Sequence, residues 1–341
     1  MVQSPEEELL STYYQEVTGT APSSITPLRP HASERRIYRL GNGALKMVGV
    51  INQSRAENDA FVSLARHFRS LGLPVPTIHL YRADQGVYLE DDLGDTTLLD
   101  YLVSERVRTG EDFPASVAFA YETVLSYLPR FQIEAAATLD FSKLLKPDIL
   151  FAETIADDMR SFSTELVRRI LPDYDTSSLS QDFATLVDYL ASARGEHFLY
   201  RDFQSRNIML VDGQPFFIDF QSGLRGPLQY DVVSLLYQSS ARIPDGDRNR
   251  LLETYLSAAA RHAPCDRGDF LRFYPAFIVG RMLQVLGVYG RQGLGSGKEY
   301  FAQSIPEALR TLRKNLDSSR MTLKLDRLLA CSESLLKSLG A

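Results

Sequence analysis

Cysteine is scarce, basic residues are outnumbered, and no long apolar run occurs; each shortage removes a class of protein. Only Cys265 and Cys331 occur among 341 residues, too few and too distant for a disulfide framework, which fits packing residues in a reducing compartment. Lys and Arg number 37 against 43 Asp and Glu, a net charge of -6, so no cationic excess is available to neutralise nucleic-acid phosphates. No apolar stretch reaches the roughly 18 residues of a membrane span, and the opening segment 1–8, with Glu6, Glu7 and Glu8, is acidic where a signal peptide is basic. The expectation is a cytoplasmic protein with neither nucleic acid nor membrane as partner and with its oligomeric state open. Repeats and low-complexity segments are missing too. What remains, 44% apolar and 23% charged, is an ordinary globular composition with length enough for two lobes.

The most informative stretch runs from Phe198 to Phe220. Ile208 to Val211 and Phe216 to Ile218 are short apolar runs separated by Asp212-Gly213, a strong hairpin signal. If the loop has three residues, Asn207 lies opposite Asp219; opposed Cβ atoms are about 4.5 to 5.5 Å apart, so an amide oxygen and a carboxylate would share one hard cation. A two-residue loop shifts the register by one and pairs Asp219 with Arg206. Both registers are open from sequence. Arg201-Asp202 followed by Asn207 fits R-D-x-x-x-x-N, in which the Asp takes the proton of an acceptor hydroxyl and the Asn holds Mg²⁺. Alone, each residue reads as a turn cap or a strand end. Their order around a hairpin argues for a site, with Asp202 catalytic and Asn207 and Asp219 as metal ligands.

The runs Tyr200-Arg201-Asp202-Phe203-Gln204-Ser205-Arg206-Asn207, Ile218-Asp219-Phe220-Gln221 and Gly226 through Asp231 to Leu236 resemble the aminoglycoside phosphotransferase and choline kinase superfamily, whose fold is similar to protein kinases. Within it the chain is most similar to bacterial kinases of the anomeric hydroxyl of N-acetylmuramate and N-acetylglucosamine. Arg281, the run from Gln284 to Gly287 and Ile305-Pro306 tilt the resemblance toward those amino-sugar kinases over choline kinases. There are two departures: Tyr200 stands where the usual pattern has His, and Gln221 follows Phe220 where protein kinases have Gly.

The resemblance implies an α+β, protein-kinase-like bilobal fold, with an antiparallel-sheet lobe over 1–93 that binds nucleotide and a mostly helical lobe over 94–341 that carries the catalytic loop and acceptor site. It implies ATP and Mg²⁺ as cofactors and a small-molecule acceptor, an amino sugar being favoured. In the first lobe Ser4, Pro5 and the acids after them start a helix reaching Gly19, and 26–29, 35–40 and 44–50 read as strands, with Pro27 confining the first to an edge. Segment 31–36 would cover the phosphates without glycines, using Ser33, backbone N–H groups and Arg35. The alternative is a solvated basic strand edge. Lys46 is placed like the strand lysine that holds phosphates, with Glu57 as its helix partner. Segment 89–94, carrying Glu90, Asp91, Asp92 and Leu93, resembles the hinge whose backbone binds adenine.

Helical periodicity marks 118–128, 155–171 and 180–193 in the second lobe. Asp157, Asp158 and Glu165 would face an acceptor or, as is commoner, solvent. Gln204, Arg206 and Gln221 flank the catalytic and metal residues as candidate acceptor contacts, and Arg281 is a candidate for the same site or for pairing with an acid in the lobe. Asp231 reads as a helix N-cap and, by resemblance, braces the catalytic loop beside Arg201. A cationic acceptor such as choline or an aminoglycoside would need clustered carboxylates or an aromatic cage beside Asp202. Homoserine is another alternative acceptor, and a non-catalytic binding protein on the same fold is the rival from another class.

Overall fold

Ser4 opens α1 (Pro5–Thr18) through a capping box with Glu7, and Gly19, in the left-handed region at φ 79°, closes it. The structure, a computed structural model, describes residues 4–28, 35–43, 45–146, 151–263, 266–319 and 323–340. Leu10, Tyr13 and Tyr14 of α1 pack on one face of a five-stranded antiparallel sheet of order β1-β2-β3-β5-β4. Its strands are β1 (Ser24–Leu28), β2 (Arg36–Asn42), β3 (Leu45–Ile51), β4 (Ile78–Arg82) and β5 (Val87–Asp91). The Pro27 strand is at the edge, where its missing N–H costs no ladder bond. The other face carries α2 (Arg55–Ser70), capped by Ser54, whose Phe61, Leu64 and Phe68 join Val50 and Tyr88 in the main core.

Helices dominate the rest. They are α3 (Leu98–Thr109), α4 (Ala115–Pro129), α5 (Phe151–Ser161), which widens into a π turn at Phe162–Val167 and ends in α6 (Arg168–Ile170), and α7 (Ser180–Ala191). The series continues with α8 (Gln229–Leu236), α9 (Asp245–Ala259), α10 (Arg267–Tyr289), α11 (Glu299–Ser319) and α12 (Asp326–Ser338). Between α7 and α8 lie two small ribbons, β6 (His197–Leu199) with β9 (Leu224–Gly226), and β7 (Ile208–Val211) with β8 (Gln214–Phe217). The chain thus has the expected α+β, kinase-like organisation of a sheet followed by helices. Cys331 is a free thiol buried in α12, as its packing role predicts; Cys265 lies outside the described residues.

The axis of the helical half is α10. Against the expectation that no stretch is apolar enough to span a membrane, this helix with the π turn after it, Arg267–Gly295, is long and apolar enough by length and composition, yet 67% of its most apolar window is buried inside this fold. Its glycines set its neighbour. A Cβ on Gly287 would stand 2.7 Å from Ser161 Oγ, and one on Gly290 2.3 Å from the Glu165 carbonyl oxygen, so only glycine lets α10 lie this close to α5. That contact brings Asp158 of α5 near Arg281 of α10.

Candidate active site

The β7–β8 hairpin takes the two-residue register. Val211 pairs with Gln214 and Ile208 with Phe217, and Asp212 and Gly213 at the tip have φ of 50° and 77°, as a type I′ turn requires. Carried onward, this register sets Asp219 opposite Arg206, yet it is Asn207 that meets Asp219. The Ile218 N–H donates to the Asn207 carbonyl at 3.1 Å, extending the ladder one step. Asp219 then turns into the left-handed region at φ 67°, and Asn207 Nδ2 donates to its Oδ2 at 3.2 Å. A backbone kink does what the three-residue loop was expected to do.

Asp202 stands on a second kinked turn. Arg201 has φ 73°, a conformation costing a non-glycine residue on the order of 1 kcal/mol, and three contacts hold it there. Asp231 accepts the N–H of Tyr200 at 2.8 Å and of Arg201 at 2.9 Å, while Arg281 Nη1 donates to the Arg201 carbonyl at 3.3 Å. The Asp202 carboxylate accepts from Ser222 Oγ at 3.1 Å and Gln204 Nε2 at 3.4 Å, and Asn207 Nδ2 donates to the Asp202 carbonyl at 2.9 Å. Tyr200 donates its hydroxyl to the Ile218 carbonyl at 2.6 Å and so ties the Asp202 turn to the Asp219 turn. Phe220 anchors the latter, stacked on Phe61 of α2 at 4.9 Å.

Asp231 is not the N-cap expected of it. The helix begins earlier, at Gln229, with Leu228 at the cap, and Asp231 lies in its first turn with its carboxylate aimed back at the loop. Burial pushes its carboxyl up to about 7 against the opposing pull of the Tyr200 and Arg201 N–H groups and of Gln132. Gln132 donates to Asp231 at 3.0 Å and accepts from Tyr255 at 2.7 Å. Gln132 and Ser222 were missed from sequence. Ser222 lies in a loop already noted for its neighbours, whereas nothing about an amide inside a helical run signals the part of Gln132.

The upper half departs further. Lys46 and Glu57 are not brought together: Glu57 instead accepts from Arg35 at 3.3 Å and from Asn52 at 3.1 Å. Lys46, Val48 and Val50 share one face of β3, and Lys46, at the exposed hairpin end, is about 13 Å from the level of Val50, which packs beside Tyr88 and α2. The cation that meets Glu57 comes instead from the segment before β2. Arg35 Nη1 also lies 3.8 Å from Asp219 Oδ1, linking the sheet to the carboxylate expected to hold the metal. Ser33 lies outside the described residues.

In segment 90–93, Asp91 accepts from the Thr77 N–H at 2.8 Å and contacts His79 Nε2 at 2.7 Å, while Asp92 accepts from Arg39 at 3.0 Å. Arg39 also donates to the Gly94 carbonyl at 3.2 Å, and Leu93 lies between these anchored residues. Glu90 points to the cleft face with its Oε2 enclosed and without a hydrogen-bond partner, and burial pushes its carboxyl up to about 8, with Arg35 opposing.

Of the acceptor candidates, Gln204 and Gln221 are buried at the site, Gln221 donating to Asp219 Oδ1 at 2.8 Å, and Arg206 is among the cations that favour the ionised Asp219. Arg281 is elsewhere: at 2% exposure it lies behind the Asp202 turn. Asp157 and Glu165 face outward in ion pairs with Arg160 and Arg169, but Asp158 turns in and pairs with Arg201 at 3.0 Å. Burial and the neighbouring Asp202 charge both raise the Asp219 carboxyl. The Asp219 carboxylate and the Asn207 amide oxygen, with the Asp202 carboxylate nearby, form a hard-oxygen donor set, which fits a Mg²⁺ that keeps waters and takes substrate oxygens as its other ligands. Among the described residues no group of three or more His, Cys, Asp or Glu forms an all-protein cage.

The family model described as the phosphotransferase enzyme family, APH, matches residues 24–268. The chain belongs to this family. The phosphotransferase is 28% identical over 300 residues to the N-acetylmuramate/N-acetylglucosamine kinase of Pseudomonas aeruginosa, covering 85% of this chain and 83% of that one. It is also 28% identical over 250 residues to the enzyme of the same name from Neisseria meningitidis, covering 70% of each. Among solved structures it superposes on the amicoumacin kinase hAmiN in complex with AMP-PNP, Ca²⁺ and Ami with a TM-score of 0.64, at 13% identity and covering 95% of this chain and 97% of that one. A choline kinase, LicA, from Streptococcus pneumoniae gives a TM-score of 0.62 at 12% identity, over 91% of this chain and 100% of that one. These matches make the phosphotransferase an ATP-dependent kinase of kinase-like fold.

Proposed function

We propose that the phosphotransferase transfers the γ-phosphoryl group of Mg-ATP to the anomeric hydroxyl of an amino sugar of the N-acetylmuramate or N-acetylglucosamine type, a step of cell-wall recycling. The observation that carries the acceptor class is the polarity around Asp202. Its carboxylate accepts from Ser222 and Gln204, with Gln221 and Arg206 beyond at Asp219, and of the acids nearby Asp158 is paired with Arg201 while Asp219 lies beside Arg35. Among the described residues the carboxylates near Asp202 already have cationic partners, which leaves a cationic acceptor little to pair with, whereas sugar hydroxyls and a lactyl carboxylate suit amides, a hydroxyl and Arg206. The names of the sequence relatives support the same class.

In this reading Asp202 accepts the proton of the acceptor hydroxyl as its oxygen bonds to the γ-phosphorus. The bond to the β–γ bridging oxygen breaks, ADP leaves, and the proton passes from Asp202 to solvent. Asn207 and Asp219 would hold Mg²⁺, which when bound neutralises charge on the phosphates. Arg35, braced by Glu57, supplies the protein's own cation toward those phosphates. Glu90, Asp91, Asp92 and Leu93 would flank the adenine, with backbone groups making the contacts. Asp231 and Arg201 support the turn that presents Asp202.

The test is Mg-ATP turnover across a panel of amino sugars, choline, homoserine and aminoglycosides. Turnover is expected with the amino sugars, with phosphate on the anomeric oxygen by NMR and complete loss on chelating the metal. Asp202→Ala and Asp219→Ala should each lower kcat by about 10³-fold or more while folding normally. A folded Asp219→Ala enzyme with near-normal turnover would overturn the assignment, and preference for choline would overturn the acceptor class.

A further inference from the structure

Arg281 is the largest fully buried side chain described, 2% exposed, on a helix that is otherwise apolar where it crosses the core. A guanidinium never loses its charge and is poorly tolerated in a core unless its donors are used. Here they are used on the Asp202 turn and on Tyr230. Nη1 donates to the Arg201 carbonyl at 3.3 Å and to the Tyr230 hydroxyl at 3.2 Å, the guanidinium lies 5.5 Å from the Tyr230 ring centroid, and Nη2 stands 3.9 Å from Asp202 Oδ1. The neighbouring charges alternate. Asp158 pairs with Arg201 at 3.0 Å, so Asp158, Arg201, Asp202 and Arg281 form a neutral cluster of two acids and two bases.

The kinked peptide between Arg201 and Asp202 is thereby gripped from two sides. Asp231 takes the N–H groups of Tyr200 and Arg201, and Arg281 takes the carbonyl of Arg201, the group that fixes the plane leading into Asp202. An acceptor would have to displace these contacts to reach Arg281. We propose that Arg281 is a positioning residue for Asp202, clamping the Arg201–Asp202 peptide from inside the helical lobe without touching the acceptor. The proposal rests on Asp202 being the base of the reaction above.

The experiment is a double-mutant cycle in the full chain, with Arg281→Met, Arg281→Lys and Asp202→Ala, using whichever acceptor the panel identifies. Arg281→Met is expected to lower kcat by about 100-fold with acceptor and Mg-ATP KM within about threefold of wild type. Arg281→Lys keeps the charge but not the fork, and should lose about tenfold in kcat with the same unchanged KM values. In the Asp202→Ala background Arg281→Met should cost less than about threefold more, because its effect passes through the missing carboxylate. A tenfold rise in acceptor KM with kcat retained would make Arg281 an acceptor contact and overturn the proposal; so would a full additional loss in the Asp202→Ala background, or unchanged kcat in either folded single variant. If Arg281→Met does not fold, the lysine variant carries both comparisons. Near-normal kcat in Asp202→Ala itself would instead sink the base assignment, an outcome separable from the others.

Discussion

Arg35 holds the place beside Glu57 that strand spacing assigns to Lys46. A lysine on the third strand is the natural reading, because Ala-Leu-Lys-Met-Val looks like a strand offering one cation to a cleft. Which end of the strand faces the helix is a tertiary matter, and there Lys46 is at the wrong end while Arg35 meets both Glu57 and Asp219. The two residues should therefore respond very differently to truncation. Arg35→Ala is expected to raise the KM for Mg-ATP by about 10-fold or more and to lower kcat, whereas Lys46→Ala should stay within about threefold of wild type in both. Steady-state kinetics with varied Mg-ATP decides it, and the reverse ranking would restore the lysine. The same limit hid Ser222 and Gln132, whose partners are 20 and 99 residues away in sequence.

Elements were more legible than contacts. The helix start at Ser4, the edge place of the Pro27 strand and the Asp212-Gly213 tip are local signals, and each appears where local rules put it. The helix before α6 has the predicted course, but the close contact this stretch makes with the glycines of α10 and the turn after it involves a neighbour over a hundred residues away in sequence. Gly290 makes that dependence testable. With a Cβ 2.3 Å from the Glu165 carbonyl, Gly290→Ala must push the two helices apart, and such overpacking costs typically about 1–3 kcal/mol. Chemical denaturation should register that loss. Turnover should fall as well, because Arg281 and Asp158 lie on the separated helices; a variant as stable and active as wild type would show that the contact is slack.

On the scale of the whole molecule, buried carboxyls give the fold an unusual dependence on pH. Glu90 is raised from 4.5 to about 8 and Asp231 from 3.8 to about 7, so between those limits the folded chain binds more protons than the unfolded one. Their contribution to stability is fullest below the unfolded values and declines as pH rises toward 8. Glu90→Gln removes one such group without removing its bulk. Thermal unfolding at pH 5 and pH 8.5 should show a smaller drop with rising pH in this variant than in wild type; equal drops would mean that Glu90 ionises freely in the fold. The organisation of sheet and helices and the order of Asp202, Asn207 and Asp219 were readable from one chain, since hairpin and loop chemistry are local. The hairpin register was not, because the kink at Asp219 makes up for the residue that the turn omits.

The clasp that Arg39 makes on the connector bears on how the halves can move. One guanidinium on the second strand reaches the carboxylates of Asp92 and Asp95 and the carbonyl of Gly94, fastening the strap between the lobes to the roof of the cleft. On the far side, the Leu210 N–H holds the carbonyl of Thr96, fastening the next residue to the floor. Asp95 and Thr96 therefore sit between two fastenings, one to the sheet and one to the β7–β8 hairpin, which ties the connector down on both of its sides.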